Sequence, residues 1–261
     1  MTQVTRIALN GAAGRMGLQV RAAIDADLDA VLSAALEHPR HPELGRELAP
    51  GVVLGSDAEQ AFSVSNVAID FSLPEASVAL AEAAARHKCP LVVATTGFRP
   101  EQLARVQAAA EHTAVLIASN FSLGVNVLIE LVEQAARRLS GYDIEVLEIH
   151  HGSKVDAPSG TALTLARAAA EARGQKLDEV AIYARKGHTG ARVPGEIGLQ
   201  TLRAGQSPGE HTIYIAGPGE RIELTHRAFS REGFASGSVR AAHWLRTRPP
   251  GLYSMRDVLD G

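Results

Sequence analysis

The segment "EIHHGSKVDAPSGTA", Glu148–Ala162, sets two adjacent histidines, a lysine and a helix start close together. Histidine titrates near neutrality and can lend or take a proton during a reaction. Lysine can do so when desolvation lowers its pKa. His150 and His151 close a strand-like run, so their side chains should point to opposite faces. Opposed histidines do not make a close metal pair, and no cysteine or paired carboxylate completes a ligand set, so no metal is expected. Taken alone, one packed and one surface histidine would satisfy the pattern. The downstream residues argue otherwise. Pro158 precedes Ser159, a suitable N-cap, with Gly160 and Thr161 in the first helical turn. Amides at a helix N-terminus bind carboxylates, and Lys154, four residues after His150, adds a full positive charge. These residues describe a pocket for an anionic, carboxylate-bearing substrate with a proton donor beside it. Next to a hydride donor, such a pocket suits reduction of a polarised C=N or C=O bond.

A second constellation lies near the N-terminus. "IALNGAAGRMG" places Gly11, Gly14 and Gly17 after a first strand and at the start of a first helix. The spacing is G-x-x-G-x-x-G; the commoner dinucleotide frame, G-x-G-x-x-G, fits only with Ala12 in its first place. Small residues let the backbone approach a pyrophosphate, and the helix N-terminus offers it N–H groups. Arg15 could add a charge-assisted contact. A tight β–α turn without a ligand is the competing reading. Against it stands Glu37, 20 residues beyond Gly17 at the end of the second strand, where an acid can accept hydrogen bonds from ribose hydroxyls. His38 and Arg40 follow and soften repulsion of a 2′-phosphate, which leaves both NADH and NADPH open. The loops "ATTGF" (Ala94–Phe98) and "ASNFSLGVN" (Ala118–Asn126) fall at carboxyl ends of parallel strands, the edge where ligands bind in such sheets.

The elements that must position these residues alternate in the first half. "RIALN", "AVLSAALE", "VAIDF", "PLVVAT" and "AVLIAS" are short apolar runs, as strands buried on both faces should be. Met16–Ala26 has helical spacing that turns Leu18, Ala22 and Val20 inward. "PEASVALAEAAARH" and "PEQLARVQAAAEH" each open with Pro then Glu, a good first helical turn. Alternation of β and α predicts a doubly wound parallel sheet, an α/β fold of Rossmann type. After about residue 122 a long helix leads to "YDIEVLEIHH", which alternates polar and apolar. Its apolar members Ile144, Val146 and Ile149 need a register break to share one face. "IGLQTLRAG", "EHTIYIAG" and "ERIELTHRA" then follow as strands with short turns, predicting an antiparallel or mixed sheet and hence an inserted α+β domain. The tail "GFASGSVRAAHWLRTRPPGLYSMRDVL" returns to helix.

Composition narrows the functional classes. The chain has 261 residues, 46% hydrophobic and 21% charged, as folded globular proteins do. No apolar run reaches the roughly 18–20 residues needed to span a bilayer, and the first residues do not resemble a secretory signal. With Cys89 as the single cysteine, no intrachain disulfide forms, which fits a cytoplasmic protein. A formal net charge of −3 and 4% aromatic residues argue against a nucleic-acid partner.

The matching pieces of a known family run in order over nearly the whole chain: "NGAAGRMG", "IDFSLPE", "VVATTGF", "SNFSLGVNVL", "EIHHGSKVDAPSGTA", "GEHTIYIAGPGERIELTHRAFSREGFASGSVRAAHWL" and "PPGLYSMRDVL". On these segments the chain resembles the 4-hydroxy-tetrahydrodipicolinate reductases (dihydrodipicolinate reductases) of lysine and diaminopimelate biosynthesis. The resemblance implies a Rossmann domain from residues 1–122 plus 232–261 and an inserted substrate and tetramerisation domain at 123–231. It implies hydride transfer from NADH or NADPH to a cyclic imine dicarboxylate, in a homotetramer with no membrane partner. It makes His150 the acid/base residue and Lys154 the proton donor, with His151, Lys154, Ser159, Gly160 and Thr161 on the substrate. It puts Gly11, Ala12, Ala13, Gly14, Arg15, Met16, Gly17, Glu37, His38, Ala94, Thr95, Thr96, Ala118, Ser119, Asn120 and Phe121 on the cofactor. This chain departs from the family where it has Ala94 for the usual glycine, His38 where many members have arginine, and Gly152 where arginine is frequent. Two alternatives remain at this point: a dehydrogenase of another imino or keto dicarboxylate, and a nucleotide-binding sensor without catalysis. The sensor would lack His150 or Lys154; the other dehydrogenase would lack the full histidine segment.

Overall fold

A computed structural model describes residues 4–261. The described residues form two compact units: those up to Leu123 together with Arg231–Gly261, and Gly124–Ser230. The first half runs β1 (Thr5–Asn10), α1 (Arg15–Asp25), β2 (Ala30–Leu36), β3 (Glu47–Ala49), β4 (Val52–Gly55), α2 (Ala58–Val64), β5 (Val67–Asp70), α3 (Pro74–His87), β6 (Leu91–Val93), α4 (Pro100–Ala108) and β7 (Ala114–Ile117). The second unit follows with α5 (Leu123–Arg138), β8 (Asp143–His150), α6 (Gly160–Ala172), α7 (Leu177–Val180), β9 (Ala181–Ile182), β10 (Ile197–Arg203), β11 (Glu210–Gly217) and β12 (Glu220–Arg227). The chain then returns to the first unit with α8 (Glu232–Leu245), β13 (Gly251–Tyr253) and α9 (Met255–Asp260).

In the first unit eight strands lie in the order β13-β7-β6-β5-β1-β2-β4-β3. Every neighbour pair is parallel except β3 with β4. Alternate residues of β1 feed two cores. Ile7 and Leu9 pack with Val20 and Ile24 of α1 and with Val239 and Ala242 of α8. Ala8 packs with Val78, Leu80 and Ala84 of α3 and Val106 of α4. Coverage on both faces is why the inner strands are apolar throughout. From β1 the chain goes to β2 on one side and later to β5 on the other, so strand order reverses between β1 and β5. Ligands bind at the carboxyl ends of strands beside such a point. Proline occupies the first turn of α3 and α4, with Glu75 and Glu101 beside it, as their sequences predict. The single cysteine, Cys89, is buried, and burial pushes its thiol up to about 12.

Two details of this unit differ from the sequence reading. Helix α1 buries Gly17, Val20 and Ile24, while Leu18 is 55% exposed and Ala22 is exposed as well. The phase is set by Gly17, whose Cα lies so close to the backbone of Gly11 and Ala12 that a Cβ there would collide with both. In the tail, strand β13 interrupts the helical run after Pro249 and Pro250, which cannot continue α8.

In the second unit five strands lie in the order β12-β11-β8-β10-β9. Strand β10 is parallel to β8 and β9, while β11 is antiparallel to β8 and β12, which makes the sheet mixed. Leu128 and Val132 of α5 and Leu165 and Ala169 of α6 pack on Ile144, Val146, Leu199, Ile213 and Ile215. No register break occurs in β8. Its buried face carries Ile144, Val146, Glu148 and His150, and Ile149 lies on the other face. Two polar groups extend an apolar stripe here because they bond to each other, and Glu148 also accepts from Arg203 of β10 and from the Ser159 amide.

Candidate active site

In the first unit the carboxyl ends of β1, β2 and β5 open onto a cavity of about 630 Å³, lined among others by Gly11, Gly14, Glu37, His38, Phe71 and Ser72. Gly11 takes a positive φ of 77°, and a Cβ there would sit 2.6 Å from the Phe71 carbonyl oxygen, so glycine is required. The Glu37 carboxylate accepts a hydrogen bond from the Ala13 amide at 3.0 Å and one from the His38 amide at 3.3 Å. The acid and the glycine turn are thus one assembly. Helix α1 starts at Arg15 without a side-chain cap on Gly14, the arrangement that suits an anion at a helix N-terminus. Arg15 is exposed, Met16 packs on the core, and Ala12 is fully buried and can offer a ligand only its backbone.

The two polar loops divide. Ala94 donates its amide to the Asp70 carbonyl, and the Thr95 hydroxyl donates to the Asp70 carboxylate at 3.1 Å. Thr95 is buried, whereas Thr96 is exposed. Ala118 donates to the Val93 carbonyl, Asn120 accepts from the Ser122 amide at 2.8 Å, Ser119 is exposed, and Phe121 is buried beside Phe71. Asp70 itself escaped the sequence reading. It ends β5 opposite Asn10 of β1 and accepts hydrogen bonds from Asn10, Ser72, Ser77 and Thr95. Burial lifts its pKa to about 6 despite these donors. The available signal was an acid ending the apolar run "VAID".

In the second unit the histidine turn closes around a buried carboxylate. Glu148 is 1% exposed and accepts from His150 Nδ1 at 2.5 Å, from Arg203 Nη1 at 2.9 and 3.0 Å, and from the Ser159 amide at 3.1 Å. Burial opposes its ionisation, but the bonds from His150 and Arg203 prevail and hold the carboxyl below its usual range. Burial lowers the His150 pKa; Glu148 works against that, and Lys154 and Arg203 add to it. Ser159 caps α6 as its sequence predicts, its Oγ accepting from the Ala162 amide at 3.1 Å and meeting His211 Nε2 at 2.9 Å. His211 is pushed down to about 3, mainly by burial and further by His150, whose ring lies edge-on at 5.3 Å. Gly160 and Thr161 form the first turn of α6. Lys154 holds both Asp156 carboxylate oxygens at 2.8 and 2.9 Å, and His151 Nδ1 meets Ser153 Oγ at 2.7 Å. His150 and His151 differ in exposure, the first buried and the second half-buried. Glu148, Arg203, His211 and Asp156 are the members that sequence reasoning missed. Only Glu148 had a local signal, two residues before His150 on the same strand face. Among the described residues, no group of three or more His, Cys, Asp and Glu side chains is placed to hold a metal ion, and no helix is long and apolar enough to cross a membrane.

A doubly wound sheet with a glycine turn and an acid at its nucleotide edge, and a histidine–lysine turn at a helix start, define a pyridine-nucleotide-dependent oxidoreductase. The comparisons give it a family. Residues 5–121 match the model of the dihydrodipicolinate reductase N-terminus, and residues 124–259 match that of its C-terminus. The chain belongs to the dihydrodipicolinate reductase family. It is 46% identical over 262 residues to the 4-hydroxy-tetrahydrodipicolinate reductase of Syntrophotalea carbinolica, covering 97% of this chain and 98% of the relative. Identity to the enzyme of the same name from Thiobacillus denitrificans is 48% over 261 residues, covering 97% and 98%. A solved structure, dipicolinate-bound dihydrodipicolinate reductase from Paenisporosarcina sp. TG-14, superposes with a TM-score of 0.79 at 24% identity, covering 97% of this chain and 98% of that one.

Proposed function

We propose that this protein reduces 4-hydroxy-tetrahydrodipicolinate to tetrahydrodipicolinate in lysine and diaminopimelate biosynthesis, using NADH or NADPH, as a cytoplasmic homotetramer. The observation that carries the reading is the turn in which His150, bonded to Glu148, shares a few residues with Lys154 and the N-terminus of α6. The glycine turn suits a dinucleotide: Gly11 makes the tight turn, Gly17 lets α1 pack against it, and the exposed Gly14 between them leaves the start of α1 open to a pyrophosphate. The bound nicotinamide supplies a hydride. Residues Gly11 to Gly17, Glu37 and His38 would hold the nucleotide, together with the loops at Ala94–Thr96 and Ala118–Phe121. Glu37 is already fixed by the Ala13 amide, and its negative charge favours ribose hydroxyls over a 2′-phosphate. Both cofactors are accepted on this reading, with NADH preferred.

The substrate carboxylates would meet Lys154, His151 and the first turn of α6 at Ser159, Gly160 and Thr161. The Lys154–Asp156 pair is short but partly solvated, and such pairs are worth little. A substrate carboxylate can therefore displace Asp156 from the lysine. His150 and Lys154 handle the proton that neutralises the electron density left after reduction. Assembly as a tetramer is supported by the sheet of the second unit. Its helices cover one face, while Leu147, Ile149 and Leu202 share the other, with Leu202 46% exposed.

A coupled assay tests the reading. The preceding synthase would supply substrate from pyruvate and aspartate semialdehyde, and oxidation of NADH and NADPH would be followed in parallel. Oxidation that requires the synthase and both precursors is expected, faster with NADH. Tight nucleotide binding without oxidation would sink the assignment and favour another dicarboxylate or a sensor.

A further inference from the structure

We propose that Glu148 is a positioning residue for His150, keeping the proton on Nδ1 so that Nε2 is the atom presented to the substrate, while Arg203 keeps the carboxylate in place. The proposal rests on the reductase reading above and adds a residue to it. Four observations converge. Glu148 and His150 share the buried face of β8, so their side chains lie side by side. An ionised carboxylate only accepts, so the ring nitrogen facing Glu148, 2.5 Å away, must be the one bearing hydrogen. Arg203 is the cross-strand neighbour of His150 on β10, and its Nη1 reaches both Glu148 oxygens while Nη2 donates to the Asp156 carbonyl at 2.6 Å. The Ser159 amide is the third donor to this buried charge, after His150 and Arg203.

Gly209 lies against the opposite edge of the ring, with no side chain to cover it. A Cβ at Gly209 would sit 2.9 Å from His150 Nε2, so any larger residue there would crowd that nitrogen. An acid that orients a histidine and sets its tautomer is a known device of proton-transfer sites. The charged and titratable groups acting on His150 are Glu148 on its own strand, Lys154 from the following loop, Arg203 from β10 and His211 from β11.

A double-mutant cycle separates positioning from mere support. Glu148→Gln, His150→Gln and the double variant would be assayed beside the wild type in the synthase-coupled reaction. Glu148→Gln should lower kcat roughly 10–100-fold with nucleotide KM unchanged, and should cost little more when His150 is already glutamine. Its pH profile carries a second readout. Glu148 stabilises the imidazolium, so without it His150 gives up its proton at lower pH. The limb on which kcat/KM falls with rising pH should therefore move to lower pH. Equal losses in both backgrounds, or an unmoved profile, would overturn the proposal. Should Glu148→Gln fail to fold, Glu148→Asp keeps the charge but withdraws it from Nδ1, and the same cycle applies. Failure of the wild type to turn over would indict the reductase reading instead, so the two ideas fail separately.

Discussion

At the scale of single residues, two acids show how position changes meaning. Glu37 is half-exposed, tied to the Ala13 amide, and set at a cavity mouth. Glu37→Ala should weaken NADH by about 10–100-fold, the worth of one or two charged hydrogen bonds. NADPH should lose much less, because its 2′-phosphate is repelled by the same acid. Equal losses by fluorescence titration would refute the ribose role. Asp70 is fully buried, and its pKa rises from 3.8 to about 6. The folded chain thus binds that proton more tightly than the unfolded chain. Its stabilising contribution is complete below about pH 4 and is lost as pH rises through about 6, on the order of 2–3 kcal/mol in all. Asp70→Asn should remove that slope. Denaturation series at pH 4.5 and 7 should show the wild type losing ground to the variant; a constant difference would contradict the assignment.

At the scale of elements, α8 gives an unusual sign. Alanine for glycine inside a helix ordinarily stabilises by about 1 kcal/mol. In α8, however, a Cβ on Gly237 would run into the backbone carbonyl of Phe121. Gly237→Ala should therefore destabilise, by about 1–3 kcal/mol as overpacked cores do, read as a lower Tm. A raised Tm would show that α8 has slack. This contact also explains what the sequence could and could not reveal. Glycines at Gly11, Gly14 and Gly17 announce a turn because their spacing is local, and Ser159 announces a cap for the same reason. Gly237 looks like a weak helix position until the loop ending at Phe121 is placed beside it. Phase is lost in the same way: Leu18 looks like a core residue in α1, but the close approach at Gly17 rotates it outward. Strands β3 and β4 and helix α2 went unread because they are three to seven residues long, too short for periodicity to register.

At the scale of the whole molecule, the histidine turn was legible and its support was not. His150, Lys154 and Ser159 are close in the chain, whereas Arg203 and His211 reach Glu148 only through the pairing of β10 and β11 with β8. Strand register is what makes residues 148, 203 and 211 neighbours, and no local pattern encodes it. The same sheet governs assembly. If its uncovered face joins subunits, Leu202→Glu should reduce the mass seen by light scattering while leaving the far-ultraviolet circular dichroism unchanged. An unaltered mass would place the interface elsewhere.

The burial of Cys89 carries a practical consequence. With its thiol raised to about 12, hardly any thiolate is available at neutral pH, so the native chain should ignore maleimides and other alkylating reagents. Val155, in the histidine turn, is 98% exposed. A cysteine introduced there would be the sole reactive thiol in an otherwise native sequence. One dye or spin label, with no background to subtract, could then watch the turn as substrate arrives.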